Sequence, residues 1–156
     1  MAQMRVPDGL DAREHAWLGL VWASTTVVGA VDEALIRRHD LPLSWFEVLF
    51  RLANHPEADE PLTVSRLASD VLLSRSQVSR ALDTLDRRGL IRRDCHARDA
   101  RATTIGLTEQ GRRAYAEAAL TYRARIADVF GDHLSDDDVE ALMAIWHKVG
   151  VCSRSP

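Results

Sequence analysis

The sequence predicts a mainly α-helical protein with one small β-hairpin, and three observations predict it. Apolar residues recur at helical spacing through most of the 156 residues. One stretch, residues 90–107, breaks that rhythm and reads instead as two short strands around a polar tip. Directly before it, residues 62–89 hold two short amphipathic helices joined by a tight turn. A chain of this length can bury a sizeable core as one domain, and residues 1–156 are read as such.

The elements follow in order. Residues 12–39 form a helix that is unusually apolar, with Trp17, Leu18, Leu20, Val21, Trp22, Val27, Val28, Val31, Leu35 and Ile36. Apolar side chains on nearly every face imply burial from more than one side, and the second side is most simply a partner subunit. Leu41-Pro42-Leu43 interrupts this helix, and Ser44-Trp45-Phe46-Glu47 has the form of a capping box opening a second helix that runs to about Ala53. Residues 54–60, with Pro56 inside and Pro61 following, read as a loop. Val64, Leu67, Ala68, Val71 and Leu72 then mark one buried face of a third helix. Only Leu73 separates it from Ser74-Arg75-Ser76-Gln77, a second capping box. The fourth helix buries Val78, Ala81, Leu82 and Leu85 and stops near Arg88-Gly89, where glycine supplies the left-handed C′ position. Residues 90–93 and 103–107 make the hairpin strands. Thr108 caps a long helix carrying Ala114, Ala118, Tyr122, Ile126 and Val129. Ser135 opens the last one, whose first turn holds Asp136, Asp137 and Asp138 where the helix dipole favours anions. The first ten residues and the tail from Cys152 are expected to fray.

Function concentrates in the fourth helix and the hairpin. At about 100° per residue, Ser76, Arg80, Asp83 and Arg87 lie within roughly 40° of the direction opposite Val78, with Gln77 and Ser79 flanking them. Ser, Gln and Arg near a helix N-terminus suit base edges: Arg pairs bidentately with guanine and Gln with adenine. Between Arg75 and Arg101 stand eight arginines and four aspartates, a local +4 in a chain of formal charge −3. Such a basic island on an acidic protein is an electrostatic footprint for nucleic acid, and arginine suits phosphate forks and narrow minor grooves. Ser74, Arg75, Ser76, Gln77, Ser79, Arg80, Arg87, Arg93, Arg98 and Arg101 are therefore the candidate DNA contacts.

Leu62-Thr63-Val64-Ser65-Arg66-Leu67-Ala68, the run from Ser74 through Gly89-Leu90-Ile91-Arg92-Arg93, then Asp99-Ala100-Arg101-Ala102 and Leu107-Thr108-Glu109-Gln110-Gly111, together resemble the winged helix of MarR-type (multiple antibiotic resistance) regulators. The likeness is dense over the winged region and one of layout elsewhere. One position departs: Ala100 stands where the family's wing tip usually has arginine, and Arg98 is available to substitute. The resemblance implies a winged helix-turn-helix at 43–107 on a helical dimerisation base formed by 12–39 and 109–150. It further implies a triangular homodimer, repressor or activator, that reads palindromic double-stranded DNA. Repression released by a small effector is the expected mode, and two cysteines without a pairing pattern suit a reduced, cytoplasmic protein. The family's effector cleft would be walled here by His15, Trp17, Trp22, Trp45, Phe46 and Arg51, which suits an aromatic acid or phenol.

Competing classes have less to rest on. No nucleophile elbow, phosphate-cradling glycine loop or matched acid–base pair suggests an enzyme. Six scattered histidines show no metal-ligand spacing, and no cofactor or metal is expected. No apolar run is read as long enough to span a bilayer, so no membrane partner is expected. Cys95 and Cys152 form no disulfide framework. Cys95, flanked by Arg92, Arg93, Arg98 and Arg101, leaves a redox-responsive regulator as one alternative. An effector-free architectural DNA binder is the other.

Overall fold

The computed structural model describes residues 8–55, 62–71, 73–96 and 99–151, with backbone alone at 95–96 and 99–102. Helices α1 (Ala12–His39), α2 (Leu43–Ala53), α3 (Val64–Asp70) and α4 (Arg75–Arg87) precede the strands β1 (Ile91–His96) and β2 (Asp99–Leu107). A long helix α5 (Glu109–Val129), a 3-10 turn (Gly131–His133) and α6 (Asp136–Lys148) complete the chain. The mainly helical class with one hairpin is borne out. The residues expected to fray at either end, and most of the loop around Pro56, lie largely outside the described residues.

Two compact units emerge: Val31–Tyr122, and Met1–Ala30 with Arg123–Pro156. The division falls within α1 and α5. Among the described residues, all nineteen buried apolar side chains belong to the first unit, from Val31 to Ala119. Val78, Ala81, Leu82 and Leu85 form the buried face of α4, as their spacing predicts. Phe46 of α2 is 1% exposed and stacks on Tyr122 and Tyr115, with ring centroids 4.6 and 5.8 Å away. In the second unit no described residue is buried, and Trp17, Leu20, Val21, Trp22, Val28, Val139, Met143 and Ile145 stand exposed. By length and composition alone α1 could cross a bilayer, which corrects the expectation that no apolar run is long enough.

The caps explain most element boundaries. α4 opens with the full capping box: Ser74 Oγ accepts from the Gln77 N–H, and the Ser74 N–H donates to Gln77 Oε1. It closes with a Schellman motif, the Gly89 N–H donating to Asp86 O and the Leu90 N–H to Leu85 O, at a Gly89 φ of 67°. Ser135 and Asp138 form a second box at α6. At α2 the expected box on Ser44 does not form. The N-cap is Pro42, two residues earlier, because Asp32 Oδ1 takes the Leu43 N–H at 2.7 Å and Pro42 O takes those of Trp45 and Phe46, leaving Ser44 inside the helix. α3 is shorter than its apolar spacing suggests, since Val71 is already extended. The hairpin is longer than expected, pairing antiparallel from Ile91↔Leu107 outward with a shift between Cys95 and His96.

Candidate nucleic-acid interface

Helices α3 and α4 and the hairpin are brought together on one unit by short connections. Thr63 caps α3, its hydroxyl accepting from the Arg66 N–H. The segment before it is pinned to β2, where the Ile105 N–H donates to Leu62 O at 3.0 Å and Thr63 bridges to Thr104. Opposite the buried face of α4, Ser76, Arg80, Asp83 and Arg87 are exposed, and so are Arg75, Gln77 and Ser79. The predicted strip is therefore presented on one helix. Within it, Arg80 Nε donates to Ser76 O at 3.3 Å and Arg87 Nε to Asp83 O at 3.2 Å. These bonds use few of each guanidinium's five donors, and the others suit phosphate or base acceptors. The capping box engages the Gln77 carboxamide oxygen, so the NH2 group is the end of this side chain that can donate outward.

The hairpin contributes differently from what its charge count suggests. Arg92 Nε pairs with Asp94 at 2.9 Å. Arg93 reaches α4, with Nη2 at 2.6 Å from Asp83 and Nε at 3.4 Å from Asp86. Arg88 donates to Asp40 O at 2.7 Å and lies over the Trp45 ring, 5.6 Å from its centroid. Several of the eight arginines are thus held by carboxylates and carbonyls of the same unit. Sequence counting treated the aspartates only as a subtraction; their spacing of three along α4 was the available signal that they share a face. Arg98 lies outside the described residues, and the side chains of Arg101 and Cys95 are not described.

The six residues expected to wall an effector cleft are divided between the two units. Phe46 is core, Trp45 lies half-buried beneath Arg88, and Arg51 donates twice to Asp70, at 2.8 and 3.2 Å. That guanidinium holds the Asp70 carboxyl below the usual carboxylate range. In the other unit Trp17 and Trp22 are exposed, and His15 Nδ1 is 2.9 Å from Asp11 O. A cavity of about 580 Å3 within Val31–Tyr122 is lined by Arg38, His39, Asp40, Arg88, Gln110, Arg113 and Glu117, among others. Among the described residues no three His, Cys, Asp or Glu side chains group as metal ligands.

Residues 39–102 match the MarR family model. An uncharacterized HTH-type transcriptional regulator of Bacillus cereus is 30% identical over 133 residues, 85% of either chain. The chain belongs to the MarR family of transcriptional regulators. Sco3205, a MarR family regulator of Streptomyces coelicolor solved in complex with DNA, superposes with a TM-score of 0.82 at 25% identity, over 93% of this chain and 90% of that one. CouR of Rhodococcus jostii, solved with p-coumaroyl-CoA, gives 0.70 at 26% identity, over 88% and 92%. The structure accounts physically for the Leu-Thr-x-x-Gly run that carries part of the MarR likeness. The Thr108 hydroxyl accepts from the Gly111 N–H at 2.9 Å and donates to Gly89 O at 2.6 Å, while the Thr108 N–H reaches Leu90 O. A Cβ at position 111 would overlap that same Leu90 carbonyl, so this close approach of α5 to the hairpin requires glycine.

Proposed function

We propose that this MarR-family chain is a sequence-specific DNA-binding regulator that acts as a homodimer, with α4 as the recognition helix and the hairpin as its wing. The observation that carries the reading is the exposed strip of Ser76, Arg80 and Arg87 on a helix whose opposite face is fully buried. Two such helices, roughly 34–36 Å apart in a dimer, would read the halves of a palindrome in successive major grooves. Selection of bound duplexes from a random-sequence library, followed by footprinting at raised salt, tests it. A recovered motif with two half-sites about one helical turn apart is expected. Binding without any sequence preference would favour the architectural alternative.

Repression relieved by a small molecule is the second half of the reading. Its support is the p-coumaroyl-CoA complex of CouR and the arginine-lined cavity, which suits a carboxylate or phosphate. A ligand can act only through differential affinity for two states of the regulator. Because Arg88 lines the cavity and covers Trp45, occupancy should change Trp45 emission. Titration with aromatic carboxylates and their CoA thioesters, with Trp45→Phe as control, checks this. No emission change and no shift in affinity for the selected duplex with any compound would remove the effector from the proposal.

A further inference from the structure

We propose that Arg93 is a positioning residue: by bridging Asp83 and Asp86 it locks the base of the wing to the recognition helix and fixes the angle at which the two meet a duplex. The inference rests on the DNA-binding reading above and assigns Arg93 a role other than direct contact. Side chains alternate along a strand, so Ile91 and Arg93 share one face of β1 and Arg92 and Asp94 the other. The Arg92–Asp94 pair at 2.9 Å agrees with that alternation. Ile91 is buried, and so is Ile105, the register partner of Arg93, which places the Arg93 side chain on the hairpin face that packs toward the helices. There its Nη2 stands 2.6 Å from Asp83 and its Nε 3.4 Å from Asp86, two carboxylates one helical turn apart on α4.

Charge makes the arrangement informative. A carboxylate on a helix face turned toward phosphates repels the duplex, and Asp83 sits in the same exposed strip as Arg80 and Arg87. Its cost to binding is offset if it holds the wing in place. A planar guanidinium can serve two carboxylates at once through different nitrogens, whereas the compact ammonium of lysine cannot reproduce that fork. An isolated exposed pair would contribute little, but here one two-thirds-covered cation neutralises two acids that would otherwise repel each other.

The sign of one substitution separates this role from simple electrostatics. Affinity is measured for a duplex that the wild-type protein has selected from a random library, across a salt series. The double variant Asp83→Asn, Asp86→Asn removes two negative charges and should nevertheless bind about three- to tenfold more weakly. Arg93→Lys, which keeps the charge, should weaken binding similarly, and Arg93→Ala should do so without changing the salt slope. In the Arg93→Ala background the two asparagines should no longer weaken binding. Tighter binding by the double variant, wild-type affinity in Arg93→Lys, or a slope about 0.9 shallower in Arg93→Ala, the mark of a lost phosphate contact, would each overturn the proposal. Further weakening by the asparagines in the Arg93→Ala background would overturn it too, marking Asp83 as a base reader. If the wild-type protein selects no duplex at all, the DNA-binding reading fails first and is recognised as such.

Discussion

Arg80 illustrates how one side chain serves both fold and recognition. It lies one turn into α4, its Nε held by Ser76 O, so its remaining N–H groups are directed by a rigid helix rather than by a loop. Arg80→Ala should cost about 1–3 kcal/mol of specific binding and relax preference at one base position of each half-site. A loss that is uniform across all duplex variants would make Arg80 a phosphate contact instead. Glu47 poses a different residue-scale question. Burial raises its carboxyl above the ordinary value, and its negative charge in turn adds to the upward shift of the Tyr122 hydroxyl, which burial causes first. A folded-state pKa above the unfolded one means that the folded chain binds more protons in the window between them, so stability falls as pH rises through that window. Glu47→Gln should therefore gain melting temperature relative to wild type at pH 7 and lose that advantage near pH 4. An equal difference at both pH values would show that packing, not ionisation, governs position 47.

At the scale of elements, what was legible in the sequence was what local chemistry decides. The box at Ser74, the helix start at Ser135, the glycine stop at Gly89 and the cap at Thr108 all rest on short-range hydrogen bonds, and each stands where the sequence places it; that Ser135 and Asp138 close a full box is the structure's addition. Ser44 failed because a distant residue, Asp32, claimed the first N–H of α2, and no local pattern announces such a partner. The site divides in the same way. The exposed strip of α4 follows from periodicity, but the attachment of Arg93 to Asp83 and Asp86 depends on how β1 lies against α4, which the charge count could not express. The junction between hairpin and α5 is the element-scale feature most open to test. Gly111→Ala forces its new methyl onto the Leu90 carbonyl, a backbone atom that cannot move aside cheaply. Overpacking of this kind costs typically about 1–3 kcal/mol, enough to lower the melting temperature by roughly 2–4 °C per kcal/mol in a chain of this size. Gly106→Ala, where a built Cβ would make only ordinary contacts of 3.5 Å with the Arg92 guanidinium, is the control and should cost far less. Equal melting temperatures for the two variants would mean that α5 can shift away from the hairpin without penalty.

For the molecule as a whole, the distribution of apolar surface is the decisive fact. Among the described residues every buried apolar side chain lies in Val31–Tyr122, while the other unit exposes Trp17 at 63%, Trp22 at 45%, Met143 at 44% and Ile145 at 48%. The first part of α1, before Val31, and the whole of α6 have no buried residue and so little to offset the entropy of ordering them, and their apolar faces need a cover. The length and hydropathy of α1 would also suit a bilayer, but α6 carries a comparable exposed apolar set beside three aspartates in its first turn, which suits a second copy of the chain rather than lipid. Folding of this unit and dimerisation should then be one event. Dilution toward the dissociation constant should lower helicity as well as mass, with the melting temperature rising with protein concentration. Trp17→Glu combined with Met143→Glu puts two unpaired charges into the covered surface. That variant should sediment as a single chain at micromolar concentration and lose protection from hydrogen exchange in residues 12–30 and 136–148, while Val31–Tyr122 keeps its protected core. Sedimentation of the variant at the mass of two chains, with those helices still protected, would show that the dimer is built on a different surface.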